Sequence, residues 1–394
     1  ADVGFHGVWL KFCVSISSMG RSAILLAALA FPATAGPAPN LVLMLLDDLG
    51  WADVGFHGSE FPTPTIDALA QGGAQLDRFY VQQVCSPTRS AVMSGRYPFR
   101  TGMQHSTTVL PSSRAVLPLD TPTLPEKLRA AGYSTAMVGK WHLGYRSWAH
   151  TPTGRGFDSF AGYMQAQCDY YNKTLGTSML PGVLGLDFWR NRTAAWEEHG
   201  RYSMDFYLEE AKRALDHRDP AKPFFLYFAH QQIHDPLDLP PQQKYQDACS
   251  HINRRAPAGE DRFTLCAMAS RLDDAVGEFV SYLEEADLWN NTLLWVAADN
   301  GGMVNLATQG FPSSASSNFP FRAGKGTLFE GGVRGVSFVT GGALPARARG
   351  QRRQGLVQHV DMARTLARLR GDRFAGGRRG RVGPGGGGEP VPED

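Results

Sequence analysis

What the chain has little of narrows the field first. Five cysteines in 394 residues are too few for a disulfide scaffold. An excess of one charge is also missing: 39 Lys and Arg stand against 37 Asp and Glu, a net of +2. That balance argues against a protein held to nucleic acid by bulk charge. No apolar run reaches the length of a bilayer span, so no membrane span is expected. The heptapeptide ADVGFHG occurs at residues 1–7 and again at 52–58, short of the about three copies that a repeat fold needs. What remains is globular composition, 43% hydrophobic, 19% charged and 11% aromatic. The length fits about two to three domains, or one large α/β domain with a sizeable core.

The two ends read differently from the middle. Residues 1–18 read as upstream sequence or a local duplication. Met19 then opens a leader: Gly20 and Arg21, an apolar run at 23–31, and the A-x-A site Ala33-Thr34-Ala35. That is the order of a secretory signal peptide, and the run is too short to span about 30 Å of hydrocarbon. The bland alternative is a buried N-terminal helix. Residues 1–35 are thus expected to be a leader, with the mature chain beginning near Gly36. The N-x-[ST] sequons at Asn172, Asn191 and Asn290 fit secretion, although such tripeptides are common. Cys168, Cys249 and Cys266 allow one disulfide and leave the pair open. Residues 371–394, rich in Gly, Arg and Pro, are expected to be a disordered tail.

Between the ends, strands and helices alternate. LVLMLL (41–46) and FFLYFA (224–229) are continuous apolar runs, the pattern of strands covered on both faces. Residues 135–138, 293–298 and 336–340 read as further strands. Helices are expected at 65–71, 86–94, 124–131, 203–217, 263–285 and 360–369. The fold class is therefore α/β with a mostly parallel sheet flanked by helices. Polar residues follow the carboxyl ends of the strands, where open α/β sheets bind ligands. Asp47 and Asp48 follow the first strand, His230 and His234 follow FFLYFA, and Asp299 and Asn300 follow the strand at 293–298.

Two carboxylates at one strand end repel each other unless a cation lies between them or one is protonated. Asp47-Asp48 alone is as readily a solvated turn or a cap. Asp299-Asn300 adds a carboxylate and an amide oxygen on a glycine-rich turn. Four oxygen donors suit a hard cation, Ca²⁺ or Mg²⁺. Cys85 stands just before a helix N-terminus, four residues from Arg89, an electropositive place. It reads either as a buried structural cysteine or as a thiolate nucleophile.

The pentapeptide CSPTR at 85–89 resembles the C-x-P-x-R motif of the type I sulfatases, whose cysteine becomes formylglycine. The stretch 85–105 (CSPTRSAVMSGRYPFRTGMQH) continues that signature, and GYSTAMVGKWHLG (132–144) is similar to the second one. FLYFAHQQIHDPLDLP (225–240), LWNNTLLWVAADNGG (288–302) and GKGTLFEGGVRGVSFV (324–339) resemble later blocks in the same order. The likeness spans about residues 40–369 and is nearest to the arylsulfatase B (N-acetylgalactosamine-4-sulfatase) group. It implies an alkaline-phosphatase-like sandwich, a catalytic domain over 36–370, and a sulfuric ester hydrolase acting on sulfated sugars or aryl sulfates. It implies a Ca²⁺, with Mg²⁺ as the alternative, held by Asp47, Asp48, Asp299, Asn300 and the formylglycine at position 85. Arg89 and Lys140 would stabilise the formylglycine oxygens. His142 would take a proton from the spare hydroxyl of the aldehyde hydrate. His234 and Lys325 would bind sulfate and protonate the leaving alcohol. A formylglycine-generating enzyme is the implied partner in biosynthesis, and the implied location is the secretory pathway, extracellular or lysosomal.

The likeness fades after HVDMARTLARL (359–369), where the family usually continues into a smaller C-terminal subdomain. The expectation is a chain lacking most of that subdomain, with an apolar face left uncovered. Two rival readings stay open: a phosphomonoester or phosphonate hydrolase on the same scaffold, and a catalytically inactive truncated relative. Among the remaining polar and aromatic residues, His230 reads as pocket-lining or structural and His105 as a loop or pocket histidine. Trp141 and Trp148 read as core rather than sugar platform, Glu330 as fixing a loop, and His57 and Glu60 as loop residues.

Overall fold

The run at 41–46 lies in strand β1 (Asn40–Leu46), every residue of which is buried. Side chains alternate across a strand. Val42, Met44 and Leu46 enter one apolar core, and Leu41, Leu43 and Leu45 enter a second core on the opposite face. With both faces covered, no polar alternation is left to show in the sequence. The computed structural model describes residues 38–105, 109, 113–175, 185–304 and 315–369. The expected leader and the expected C-terminal tail lie outside the described residues.

The other strands are β2 (Ala74–Leu76), β3 (Phe79–Tyr80), β4 (Ser134–Lys140), β5 (Ser159–Tyr163), β6 (Trp189–Arg190) and β7 (Thr193–Ala194). They are followed by β8 (Phe224–Ala229), β9 (Thr292–Ala298), β10 (Ser337–Thr340), β11 (Gln351–Arg353) and β12 (Val357–Gln358). Ten of them form one sheet in the order β11-β2-β10-β9-β1-β8-β4-β5-β6-β7. The centre, β9-β1-β8-β4-β5, is parallel, with Leu43 opposite Tyr227 on one side and Trp295 on the other. The strand expected at 336–340 is present but runs antiparallel to β9. The connection from β9 to β10 holds only a four-residue helix and no long crossover helix among its described residues. Its return strand therefore starts at the end where β9 stopped. That keeps the described residues 299–304 and 315–336 at the carboxyl end of the sheet.

The helices are α1 (Pro64–Gly72), α2 (Cys85–Ser94), α3 (Leu124–Ala130), α4 (Ser203–Asp216), α5 (Gln243–Ala248), α6 (Gly259–Glu285), α7 (Glu330–Val333) and α8 (His359–Arg368). Ile66, Phe206, Leu265 and Phe279 bring α1, α4 and α6 onto the first core. Val92, Leu128, Met362 and Leu366 bring α2, α3 and α8 onto the second. The result is a helix–sheet–helix sandwich. Helix α3 starts with a capping box, Thr123 with Glu126. Helix α6 begins a turn earlier than its apolar pattern, with Glu260 and Asp261 in the first turn, where negative charge suits the helix dipole. Among the described residues the disulfide is Cys249–Cys266, joining the end of α5 to α6, while Cys85 and Cys168 are free and buried.

Candidate active site

The parallel strands deliver the polar residues to one place. Asp47 and Asp48 follow β1, Lys140 ends β4 with His142 two residues on, and Asp299 and Asn300 follow β9. His234 lies on the loop after β8, Cys85 opens α2, and Lys325 comes from the β9–β10 connection. All of these residues and Arg89 are buried. Burying so many charges is tolerated only if they are paired.

The pairing is dense. Lys140 Nζ donates to Asp47 Oδ2 at 2.6 Å. Arg89 donates to Asp299 Oδ2 through Nη2 at 2.7 Å and Nε at 3.0 Å, and to the Lys140 carbonyl at 3.1 Å. Lys325 Nζ donates to Asp48 Oδ2 at 2.7 Å, and Asn300 Nδ2 donates to Asp48 Oδ1 at 2.8 Å. Burial works against the Asp47 and Asp48 carboxylates, but the cations beside them hold both pKa values below the usual range. Asp299 is pushed up by burial and by Asp47. Asp48 and His142 both hold positive φ, 60° and 52°, a strained setting that side chains other than glycine rarely adopt.

Two buried oxygens, Asp47 Oδ1 and Asn300 Oδ1, accept no hydrogen bond. An unsatisfied buried acceptor costs about 1–3 kcal/mol. Ligand atoms of Asp47, Cys85 and Asp299 lie within 4.8 Å of one another, as do those of Asp47, Asp48 and His234. Unpartnered oxygens among converging carboxylates fit a hard divalent cation. The side chains expected to hold one are therefore together, and His234, assigned by resemblance to the sulfate, shares their space.

Cys85 Sγ is 3.1 Å from His142 Nδ1. His142 Nε2 lies 3.1 Å from the Val109 carbonyl, which can only accept, so Nε2 carries the proton and Nδ1 presents a lone pair to position 85. Burial, with Lys140 and Arg89 nearby, holds the His142 pKa well below its usual value, so the ring is neutral. Burial also pushes the Cys85 thiol up, which does not favour the thiolate-nucleophile reading. On the far side, His234 Nδ1 is 2.7 Å from the Asp235 carbonyl, and Nε2 is 3.0 Å from Lys325 Nζ.

The other residues singled out in the sequence are not among the partners in the contacts above. His230 is buried against Phe228, with ring centroids 4.0 Å apart. Trp141 is a core residue whose indole donates to two carbonyls, whereas Trp148 is 44% exposed and meets Arg192. Glu330 accepts from Tyr80 and Arg334 and ties a loop. His57 stacks on Trp51, Glu60 pairs with Arg262 at the surface, and His105 is exposed. Sequence reasoning missed Tyr163 and Tyr227, whose buried hydroxyls lie near Asp47, because tyrosines inside apolar strand runs read as packing. It also missed the backbone of Gln232 and Ile233, which pairs with that of Asp47.

Comparison with known proteins agrees with this geometry. The Sulfatase family model matches residues 39–371. Mouse arylsulfatase J (Mus musculus) is 43% identical over 309 residues, covering 78% of this chain and 48% of its own length. Human arylsulfatase A (Homo sapiens) is 33% identical over 369 residues, covering 90% of this chain and 68% of its own. The chain thus spans about half the length of the first of these relatives. Among solved structures, Ps i-CgsB in complex with k-i-k-neocarrahexaose superposes with a TM-score of 0.73 at 30% identity, over 85% of this chain and 72% of that one. The PsFucS1 sulfatase from Pseudoalteromonas sp. gives 0.70 at 28% identity, over 90% and 72%. The ordered motifs, the parallel sheet that gathers them and the match over most of the length have one explanation: the chain belongs to the sulfatase family.

Proposed function

We propose that this chain hydrolyses sulfate esters of sugars or aryl alcohols, with formylglycine made from Cys85 as the nucleophile and residues 36–370 as the catalytic domain. One observation carries the reading: position 85 opens α2 facing the lone pair of a neutral His142, beside the ligand atoms of Asp47 and Asp299. A formylglycine hydrate there supplies two geminal hydroxyls, one nucleophilic and one able to release sulfate, where serine or cysteine offers a single group. A Ca²⁺, or Mg²⁺, held by Asp47, Asp48, Asp299, Asn300 and position 85 would supply Lewis-acid stabilisation of the sulfate oxygens.

The chain's own residues account for the rest. Arg89 and Lys140 keep positive charge beside position 85, where negative charge builds. His142 Nδ1 takes a proton from the group at position 85, and its Nε2–H stays on the Val109 carbonyl. Lys325 and His234 stand together 3.0 Å apart and deliver a proton to the departing alcohol oxygen. The carbohydrate in the Ps i-CgsB structure supports a sugar ester as substrate. Exposed Asn172, Asn191 and Asn290 and the Cys249–Cys266 disulfide support passage through the secretory pathway to the exterior or the lysosome. No helix among the described residues is long and apolar enough to cross a membrane. A formylglycine-generating enzyme is then the biosynthetic partner.

The test uses protein secreted from a eukaryotic host. Mass spectrometry of tryptic peptide 79–89 should show formylglycine at position 85. The protein should then cleave the sulfate ester of an alcohol faster than its phosphate ester, and Cys85→Ala should abolish turnover while keeping the fold. Unmodified Cys85 beside a modified control sulfatase would favour an inactive relative. Faster phosphate release would favour the phosphoester reading.

A further inference from the structure

The loop after β8 carries His234 beyond the end of the sheet, so something else must fix its distance from Lys325. Residues 231–234 form a tight turn, in which the Gln231 carbonyl accepts from the His234 amide at 3.0 Å. The middle of that turn pairs with Asp47: Asp47 N–H donates to the Gln232 carbonyl at 3.1 Å, and Ile233 N–H donates to the Asp47 carbonyl at 2.8 Å. The two outer carbonyls of the turn, Gln231 and His234, converge on one phenol. Tyr170 Oη lies 3.1 Å from the first and 3.0 Å from the second.

Tyr170 is anchored equally firmly at its other end. Its carbonyl accepts from Ser203 N–H at 2.9 Å, Ser203 Oγ at 3.0 Å and Lys173 Nζ at 2.6 Å. Its ring stacks on Tyr202, with centroids 5.4 Å apart and an interplanar angle of 19°. The side chain is fully buried. It therefore spans from the start of α4 to the turn as a strut with one hydrogen-bonding tip.

We propose that Tyr170 is a positioning residue for leaving-group protonation, holding the 231–234 turn so that His234 Nε2 stays in register with Lys325 Nζ. The proposal rests on the sulfate-ester reading above. The phenol's hydrogen bonds run to two backbone carbonyls and to no candidate metal-ligand side chain, so it acts on backbone. Burial keeps it protonated, so it remains a donor. Its removal should weaken proton delivery to the alcohol and spare the nucleophilic half of the site, where His142 faces Cys85 from another loop.

Tyr170→Phe keeps the ring and its stack and removes only the hydroxyl. With formylglycine-bearing enzyme, kcat on a sugar sulfate, a poor leaving group, should fall about 10- to 100-fold. KM should stay within about threefold, and kcat on 4-nitrophenyl sulfate, which departs with little protonation, should fall less than about threefold. Equal losses on both esters, or a change in KM alone, would overturn the proposal. Amide hydrogen exchange across residues 230–238 supplies a readout free of catalysis. In Tyr170→Phe the Ile233 and His234 amides should exchange at least about tenfold faster, with β8 still protected. Unchanged exchange there refutes the strut whatever the activity. If wild-type enzyme cleaves neither ester, the sulfate-ester reading has failed, and the exchange experiment still decides the strut. Should Tyr170→Phe not fold, Ser203→Ala loosens the outer anchor while leaving its backbone donor. It should show the same asymmetry between esters more weakly, and no asymmetry would count against the proposal.

Discussion

His230 offers a sharp test of the electrostatics of this fold. Its ring is wholly buried, tilted against that of Phe228, and neither nitrogen has a hydrogen-bond partner among the described residues. Burial, with Arg271 nearby, pushes its pKa down from 6.5 to about 3. In the unfolded chain the same ring titrates at its ordinary value. Between those values the unfolded state binds a proton that the folded state refuses, so stability is full above pH 6.5 and is lost as pH falls towards 3. Each pH unit in that window is worth about 1.4 kcal/mol, so at pH 5.0 the single residue costs about 2 kcal/mol. His57 and His359, both held at about 4 by burial, act in the same direction. His230→Leu removes the titration and replaces two orphaned nitrogens with apolar atoms, a change expected to be neutral to stabilising at pH 7.5. The assay is urea unfolding followed by tryptophan fluorescence at pH 7.5 and 5.0. The wild type should lose about 2 kcal/mol more than the variant over that interval. Equal losses in the two proteins would refute the claim that His230 is buried neutral without a partner.

Removing divalent cations with EDTA should lower both sulfate release and the melting temperature, and Ca²⁺ or Mg²⁺ should restore them. At a hundredfold excess over Kd the bound ion is worth about 2.7 kcal/mol, and an unchanged melting temperature after verified metal loss would contradict the oxygen-ligand site. Thr123→Ala should cost about 1–2 kcal/mol by urea titration, since Thr123 caps α3 and its hydroxyl also donates to the Arg155 carbonyl at 2.8 Å, and Thr123→Ser should recover most of it. Replacing both Cys249 and Cys266 by serine should cost about 3 kcal/mol, because the bond closes a loop with a sequence separation of 17, and no change in unfolding midpoint would show that the bridge does not constrain the unfolded chain.

The residues proposed for the site could be gathered from the sequence because they follow the ends of apolar strands or open a helix. A pair of aspartates after LVLMLL, an Asp-Asn on a glycine turn and a cysteine four residues from an arginine each have bland readings taken singly, and it is their arrival at the same end of a parallel sheet that sets them side by side. That end was predictable, since strands buried on both faces leave their polar neighbours at the tips. The direction of β10 was not: a short apolar strand carries no record of which way it runs, and that depends on the connection before it. The start of α6 was hidden by its composition. The first turn of α6 is polar, Gly259 to Arg262, and the apolar periodicity begins only at Phe263. Tyr163, Tyr170 and Tyr227 were invisible as functional neighbours, because a phenol that bonds to backbone or faces a carboxylate has the same sequence appearance as one that only packs.

The hydrogen bonds around the carboxylates bear on whether a cation must rearrange the site to enter it. Lys140 occupies one oxygen of Asp47 and leaves Oδ1 without a hydrogen bond, 3.5 Å from Arg89 Nη2. Asn300 spends its amide nitrogen on Asp48 Oδ1 and on the Gly301 carbonyl, and keeps its own oxygen free. Each oxygen of Asp48 accepts one strong hydrogen bond, and a carboxylate oxygen has two lone-pair sites. Asp299 Oδ2 accepts twice from Arg89, while its Oδ1 accepts only from the Asp48 amide at 3.3 Å, so each expected oxygen ligand retains accepting capacity on at least one oxygen while its present partner stays in place. The three carboxylates of Asp47, Asp48 and Asp299 are matched by Arg89, Lys140 and Lys325, so these six groups sum to neutrality, and Asp235 beside His234 adds one further negative charge at the edge. A divalent cation would make the pocket positive, the sign that would hold the monoanionic ester of the proposed reaction and the charge spreading onto its oxygens. Asp47→Asn tests this directly. It should weaken Ca²⁺-dependent stabilisation and leave Lys140 with no carboxylate partner at 2.6 Å, so the variant should melt lower even without metal. A variant that loses metal binding but keeps its metal-free stability would show that the Lys140 pair contributes nothing to the fold.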